Sequence, residues 1–552
     1  MRHARVLFRD RPVRSELLSL PVPDVSRTVR IAVHRNHSFE LLESVINVYL
    51  ALSDMRADFW YSGYDDSLSF ADSFPQDVAV HILWFDAARH HDQAGAAAWL
   101  CARTAALRAL TQAKILVAGL GLGAHTPPAL PDVMFLDMEA TLSSLGEEAL
   151  DIRLAPWSGT RLSHAACLAV ARELGTHALP SLLCPLLKAI VLDCDNTLYA
   201  GVLGEDGVAG CQPYKELQTW LHDMAGKGFL LALASKNEER DVRELFLQRE
   251  DFPLRWEDFA AYGINWRSKA ENMANIARTL HIGTDAMLFV DDNPGELAHV
   301  QAALPDVQLL EATSPEDTLA GLRHYPRLVK TTVAVEDTLR STDLRANASR
   351  DALRQSLSPE EYLRSLHIRL TFLLNPLEKA QRCQQLCNKT NQFIFSYLRP
   401  TEMDVARYLE DDDCCVVAVG LQDRLSDSGI IAVLLARNIG NMLAIDEFVM
   451  SCRALGRGVE NFIIGGAVRL ALRTLSVPSA QVQYKVGPRN TPALEWLRTV
   501  LGVDSLDTHG GCVVLPDDLT NIESMTGYDC IDVEERTEEN MAESSMPGKY
   551  LA

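Results

Sequence analysis

Val191-Leu-Asp-Cys-Asp-Asn-Thr-Leu198 ends an apolar run with two carboxylates two residues apart and a threonine two further on. The run 187–192 is short and, but for Lys188, apolar, as a strand buried on both faces of a parallel sheet should be. A D-x-D-x-T sequence at the end of such a strand suits phosphoryl transfer: one carboxylate attacks phosphorus while the other serves as acid and base. Asp193 is the expected nucleophile and Asp195 the expected proton shuttle. A phosphorylated carboxylate needs its charge neutralised, so oxygen ligands for Mg²⁺ should stand at another strand end. Asp291-Asp292-Asn293-Pro294 follows the apolar run 286–290 and answers that need. Asp193, Asp195, Asp291 and Asp292 are the expected metal ligands. Ser235, after the run 229–234, can donate a hydrogen bond to a phosphoryl oxygen, and Lys269 can bring positive charge to the transition state.

Working outward, apolar runs at 29–33, 58–61, 78–85, 114–119 and 133–136 alternate with helical stretches at 39–52 and 96–113. This predicts an α/β domain over 1–182, ahead of a second over 186–328 that holds the carboxylates. A polar, helical connector is expected over 329–358. A third domain over 359–525 has strand candidates at 368–373, 415–420, 429–437 and 444–450. From 526 to 552 the chain turns acidic, with Glu534, Glu535, Glu538 and Glu539 close together, and is expected to be a disordered tail.

The 552 residues are too many for one hydrophobic core, and 47% hydrophobic residues is ordinary for a folded chain. Lys and Arg total 52 against 74 Asp and Glu, a net charge of -22 that opposes attraction to nucleic acid or to an anionic membrane. No apolar stretch approaches a membrane span and the first residues lack the apolar core of a secretion signal, so a cytoplasmic location is expected. The 12 cysteines are scattered: neither Cys383 with Cys387 nor Cys414 with Cys415 gives zinc-site spacing.

In the third domain the run 444–450 leads into Arg453-Ala-Leu-Gly456-Arg-Gly458 and then an apolar helix. Glycines at such a junction let backbone amides approach an anion, so Arg453, Gly456, Arg457 and Gly458 are the expected pyrophosphate-binding residues. In the first domain Ser38 follows the first strand and His164 precedes the last helix, roughly where a Ser/His hydrolase carries its pair. No acidic partner stands at fixed spacing from His164, and Ser38 reads better as a helix cap. His90 and His91 read as surface residues. In the connector, Arg340, Arg345, Arg350 and Arg354 recur at roughly helical intervals. They form either a positive docking surface or a solvated helix face paired with Asp337, Asp343 and Asp351.

The phosphoryl-transfer residues resemble the haloacid dehalogenase (HAD) superfamily. The continuation Thr197-Leu-Tyr-Ala-Gly-Val-Leu-Gly-Glu-Asp-Gly207 is similar to its FkbH-like branch, as are Asn388-Lys-Thr-Asn-Gln392, Leu421-Gln-Asp-Arg424 and Met450-Ser-Cys-Arg-Ala-Leu-Gly-Arg457. The family commonly has tryptophan where this chain has Tyr199, which puts substrate packing there in question. The resemblance implies an α/β chain of three domains: a degenerate SGNH-hydrolase-like domain, a HAD-like Rossmannoid catalytic domain, and a GNAT-like acyltransferase domain. In the last, the glycine loop resembles a coenzyme A loop, Tyr484 falls at a general-acid position, and the ligand is coenzyme A or the phosphopantetheine arm of a carrier protein. The implied function is conversion of 1,3-bisphosphoglycerate to a glyceryl, or related hydroxyacyl, thioester on an acyl carrier protein, for polyketide biosynthesis. A plain small-molecule phosphatase and a non-catalytic carrier-docking protein are the alternatives. Cys194, between the two aspartates, is either a transient acyl acceptor or a small buried core residue; strand alternation turns it away from Asp193 and Asp195.

Overall fold

The computed structural model describes residues 4–536, apart from 10, 22–23, 65–66, 71–73, 124–129, 131, 154, 281, 329–345, 347–349, 351–352, 355, 452–453, 456, 488 and 526. The chain is α/β throughout and forms two compact units, one reaching to Thr332 and the other built from Val333 onward.

The first unit carries two parallel sheets. One is built from β1 (Arg27–Arg35), β2 (Met55–Tyr64), β3 (Val80–Asp86), β4 (Lys114–Leu120) and β5 (Val133–Leu136), in the order β2-β1-β3-β4-β5. The other holds β6 (Ala189–Leu192), with a small ribbon of β7 (Tyr199–Ala200) and β8 (Gln212–Pro213) after it. It continues through β9 (Leu230–Ser235), β10 (Phe259–Ile264), β11 (Met287–Asp291) and β12 (Gln308–Glu311), in the order β10-β9-β6-β11-β12. Every residue of β6, β9 and β11 is buried, which is why these segments read as unbroken apolar runs. The spans 1–182 and 186–328 each own a sheet, yet one apolar core runs through both. Polar contacts join them as well: the imidazole of His177 meets the Arg323 carbonyl at 3.1 Å, and Phe8 stacks on His324.

After β6 the chain builds outward through β9 to β10, then returns to the other side of β6 for β11 and β12. The carboxyl ends of β6 and β11 therefore lie side by side where the strand order reverses, the place at which open parallel sheets leave a crevice. Asp193 and Asp291 stand at those two ends.

The second unit is a mixed sheet. Its strands are β13 (Ile368–Leu374), β14 (Phe393–Ile394), β15 (Cys414–Gln422), β16 (Asp427–Asn438), β17 (Leu443–Met450), β18 (Ala480–Tyr484), β19 (Gly511–Val514) and β20 (Ile531–Arg536). The order is β19-β18-β17-β16-β15-β13-β20, with β14 paired to β17 off that path. The expected end of this domain at 525 is corrected by β20, which pairs parallel with β13 from Ile368↔Ile531 to Leu373↔Arg536. Of the acidic residues that suggested disorder, Glu535 pairs with Arg469 and Arg473, and Glu534 with Arg536. The rest of the expected tail, 537–552, lies outside the described residues, as does most of the connector. Among the described residues no helix is long and apolar enough to cross a membrane.

Chains cut after Arg536 and after Cys530 should therefore behave differently on heating. The first should melt with the full-length protein; the second, lacking β20, should lose about 4 °C or more, as ~2 kcal/mol would shift a unit of roughly 200 residues. Equal melting of the two by calorimetry would remove β20 from the stable fold.

Candidate active site

Asp193 leaves β6 with its backbone N–H donating to the Val290 carbonyl at 3.0 Å, which sets its strand end against that of β11. The carboxylates of Asp193, Asp291 and Asp292 converge, each offering an oxygen within 4.8 Å of the others. Lys269, first residue of the helix Lys269–Thr279, reaches between two of them, its Nζ 3.0 Å from Asp193 Oδ2 and 2.5 Å from Asp291 Oδ2. Asp291 and Lys269 are buried, and Asp193 is only 6% exposed.

Burial first, then the charge of Asp193, raises the pKa of both Asp291 and Asp292. Burial opposes the charge on Lys269, but Asp193 and Asp291 outweigh it and hold its pKa above the usual lysine value. Lys269 offsets one of the negative charges and leaves two. Asp193 Oδ1 is buried and accepts no hydrogen bond. An orphaned carboxylate oxygen beside two more carboxylates is a donor set of hard oxygens, and it fits a Mg²⁺ ion. Asn293 shapes the same loop: its side chain accepts from Gly295 N and caps the helix Pro294–Ala303, while Asp291 Oδ1 accepts from Asn293 N at 2.8 Å.

Asp195 has a different environment, and its side chain does not join the metal-binding group expected of it. One oxygen accepts from Tyr199 Oη at 2.8 Å and from the Leu203 amide at 3.0 Å; the other accepts from Asn237 Nδ2 at 2.9 Å. These donors hold the carboxylate away from the cluster at Asp193. Asn196, in the left-handed region at φ +52°, makes the turn that separates the two aspartates from the ribbon beyond. Tyr199 is fully buried with its hydroxyl on Asp195, so this aromatic orients the Asp195 carboxylate and does not line a substrate surface.

Asn237 was not among the expected site residues. Its amide also donates to Ser235 Oγ at 3.1 Å, tying Ser235 and Asp195 together from the end of β9. The signal for it is modest: a second polar residue, two positions past the strand end at Ser235.

Cys194 has no exposed surface, belongs to the apolar core of the unit, and its thiol meets Ser235. Burial, then the Asp193 carboxylate, raises its pKa well above the ordinary thiol value. Of the two readings of Cys194, burial favours the small core residue over the acyl acceptor, because a sealed thiol of raised pKa is a poor nucleophile.

In the second unit Arg457 is buried too, donating to Asp423 at 3.0 Å and to Ser428 Oγ at 2.9 Å, instead of presenting its guanidinium to a pyrophosphate. Gly458 takes φ +77°, the conformation expected of a loop glycine. Arg453 and Gly456 lie outside the described residues. Tyr484 is buried, with its hydroxyl accepting from the Asp507 amide at 3.0 Å. Arg350 does not belong to a docking face: it is 3% exposed and grips both oxygens of Asp423. Arg340 and Arg345 lie outside the described residues.

In the first unit, Ser38 donates to Glu40 Oε2 at 2.6 Å and caps no backbone amide. His164 is exposed at the start of the helix His164–Glu173, and no hydrogen bond joins it to Ser38 among the described residues. His90 is buried against Trp99, contrary to its surface reading.

No protein-family model matches the sequence, and no curated protein matches it either. Among solved structures, the chain is similar to the N-terminal part of the protein BF1531 from Bacteroides fragilis, containing a phosphatase domain complexed with Mg. The identity is 19% and the TM-score 0.44, over 58% of this chain and 96% of that one. It is also similar to spermidine/spermine N-acetyltransferase SpeG from Vibrio cholerae, at 12% identity and a TM-score of 0.21, over 28% of this chain and 98% of that one.

Two substitutions check the side-chain assignments. Cys194→Ala should leave phosphate release within about threefold of wild type, since a buried thiol of raised pKa takes no part in the chemistry; loss of turnover in a folded variant would return the thiol to the mechanism. Arg350→Glu should destabilise the second unit by about 3–5 kcal/mol in denaturant unfolding, because it leaves buried Asp423 facing a like charge.

Proposed function

We propose that the chain is a Mg²⁺-dependent phosphoryl-transfer enzyme of the HAD type, and that it builds a glyceryl thioester on an acyl carrier protein from 1,3-bisphosphoglycerate. The observation that carries the phosphoryl-transfer reading is Asp193: one oxygen is held by Lys269, and the other is buried without a hydrogen bond beside Asp291 and Asp292. An oxygen so placed is oriented and desolvated, as a carboxylate nucleophile should be.

Asp193, Asp291 and Asp292 would hold the Mg²⁺, which supplies positive charge to the phosphoryl oxygens when bound. The Asp193 carboxylate forms the bond to phosphorus through one of its oxygens as the bond to the leaving oxygen breaks. Asp195, held by Tyr199 and Asn237, gives that oxygen its proton, then removes a proton from the water that cleaves the aspartyl phosphate. Lys269 offsets the charge of Asp193 and of the phosphoryl group throughout. Ser235, fixed by Asn237, is the hydroxyl available to a phosphoryl oxygen.

The finer reading rests on the FkbH-like sequence motifs. In it, the carrier's thiol attacks the acyl carbon of 1,3-bisphosphoglycerate and the C1 phosphate leaves. The remaining C3 ester is then hydrolysed by the Asp193 chemistry, so two phosphates are released for each glyceryl thioester. Because Cys194 is sealed in the core, the acyl group goes directly to the carrier.

Intact-mass measurement of a carrier protein incubated with enzyme, Mg²⁺ and 1,3-bisphosphoglycerate tests this. Gain of a glyceryl group with two phosphates released is the expected result. Phosphate release with no change in the carrier would reduce the protein to a small-molecule phosphatase, and carrier binding without turnover would make it a docking protein. Asp193→Asn should lower phosphate release by about 10³-fold or more with unchanged melting, and chelation should do the same reversibly to the wild type. Near-normal turnover in Asp193→Asn would overturn the phosphoryl-transfer reading itself.

A further inference from the structure

Strand β17 of the second unit is paired along one whole edge with β16, from Asn438↔Leu443 to Ala432↔Met450. Its other edge pairs with β18 only over Leu443 to Ile445, after which the two parallel strands part. Parting strands expose unpaired N–H and C=O groups on facing edges, and an extended chain that carries amides can add there as an extra strand. The pantetheine arm of coenzyme A or of a carrier protein has two such amides. This gap, continuous with the loop before the helix Glu460–Thr474, is therefore where the coenzyme A-like reading of the glycine loop can be tested for fit.

The gap is filled by the chain itself. Phe393 and Ile394, as β14, pair antiparallel with Met450 and Val449, and the Phe395 amide reaches the Phe448 carbonyl at 3.3 Å. On the β18 side, Lys485 N donates to the Phe395 carbonyl at 2.8 Å and Asn490 Nδ2 to the Ile394 carbonyl at 3.0 Å. One short segment is thus bonded to both walls.

It is pinned from within by Glu447, which has no exposed surface. Glu447 Oε1 accepts from the amides of Phe395, Ser396 and Phe448, each at 3.0 Å; Oε2 accepts from Leu398 N at 2.7 Å and Ser396 Oγ at 2.9 Å. A buried carboxylate is tolerated only with such bonds, so the segment and Glu447 require each other. Tyr397 sits at φ +56° with its ring against Gly487, where an added Cβ would clash with the ring. Phe393 and Phe395 pack with Phe448 and Trp496 at centroid distances of 5.8–6.3 Å. At the phosphate end, Arg457 is committed to Asp423, and Glu460 puts a negative charge in the first turn of the following helix. The residues present do not fit coenzyme A.

We propose that residues 393–398 are a built-in segment that replaces a pantetheine arm on the β17 edge, so that the second unit holds neither coenzyme A nor the arm of a carrier. This inference is independent of the chemistry at Asp193. Calorimetric titration of the full-length protein with coenzyme A and with pantetheine should give no saturable heat below ~1 mM, an affinity of about -4 kcal/mol. Hydrogen exchange read by mass spectrometry should show peptides spanning 391–400 exchanging at least about 100-fold more slowly than unstructured peptide, with no change on adding coenzyme A. Saturable binding below that concentration overturns the proposal. So does rapid exchange of the segment, or a change in its protection on adding coenzyme A.

Discussion

Everything at the proposed active site follows from the contact of Lys269 with Asp193 and Asp291. Parallel pairing sets the ends of β6 and β11 side by side, so the backbone, and not attraction between side chains, brings like charges together in a buried place. Such an arrangement costs free energy, and the raised pKa values of Asp291 and Asp292 express that cost. Lys269 answers part of it. What remains is a site short of positive charge, which is what makes it suited to a divalent cation and a phosphate together.

The two aspartates of the motif differ through their neighbours alone. Asp195 is surrounded by neutral donors that fix its position, whereas Asp193 faces one cation and has one oxygen with no donor. Between them, beyond the end of β6 at Leu192, Cys194 is fully buried and packs with the apolar side chains of the unit, although along the chain it stands between the two carboxylates.

Much of this is legible in the sequence, for a physical reason. Strands covered on both faces are written as continuous apolar runs, and a charged or polar residue directly after one must lie at the sheet's edge; that pattern alone locates Asp193, Ser235 and Asp291. What escapes it is whatever depends on contacts between distant segments. Arg350 looks like one of a row of surface arginines, but its partner Asp423 is 73 residues away and draws it inside. The acidic run near 534 looks solvated because its partners, Arg469 and Arg473, lie on a helix some 60 residues earlier. Asn237 carries no pattern of its own; only the fold reveals that it joins Ser235 to Asp195.

The second unit meets the same difficulty, a carboxylate taken out of water, in two other ways. Asp423 is held by two arginines and Glu447 by backbone amides and a hydroxyl. The second arrangement has a consequence the first does not. Amides are supplied by a segment, so the segment must stay where the carboxylate is, and here that place is the gap between β17 and β18. Burying Glu447 and closing the gap are one structural event, and the closure needs no ligand to maintain it. With that edge closed and Cys194 sealed, acyl transfer in the proposed reaction needs a thiol brought to the Asp193 site from outside, which is the part a carrier protein would play.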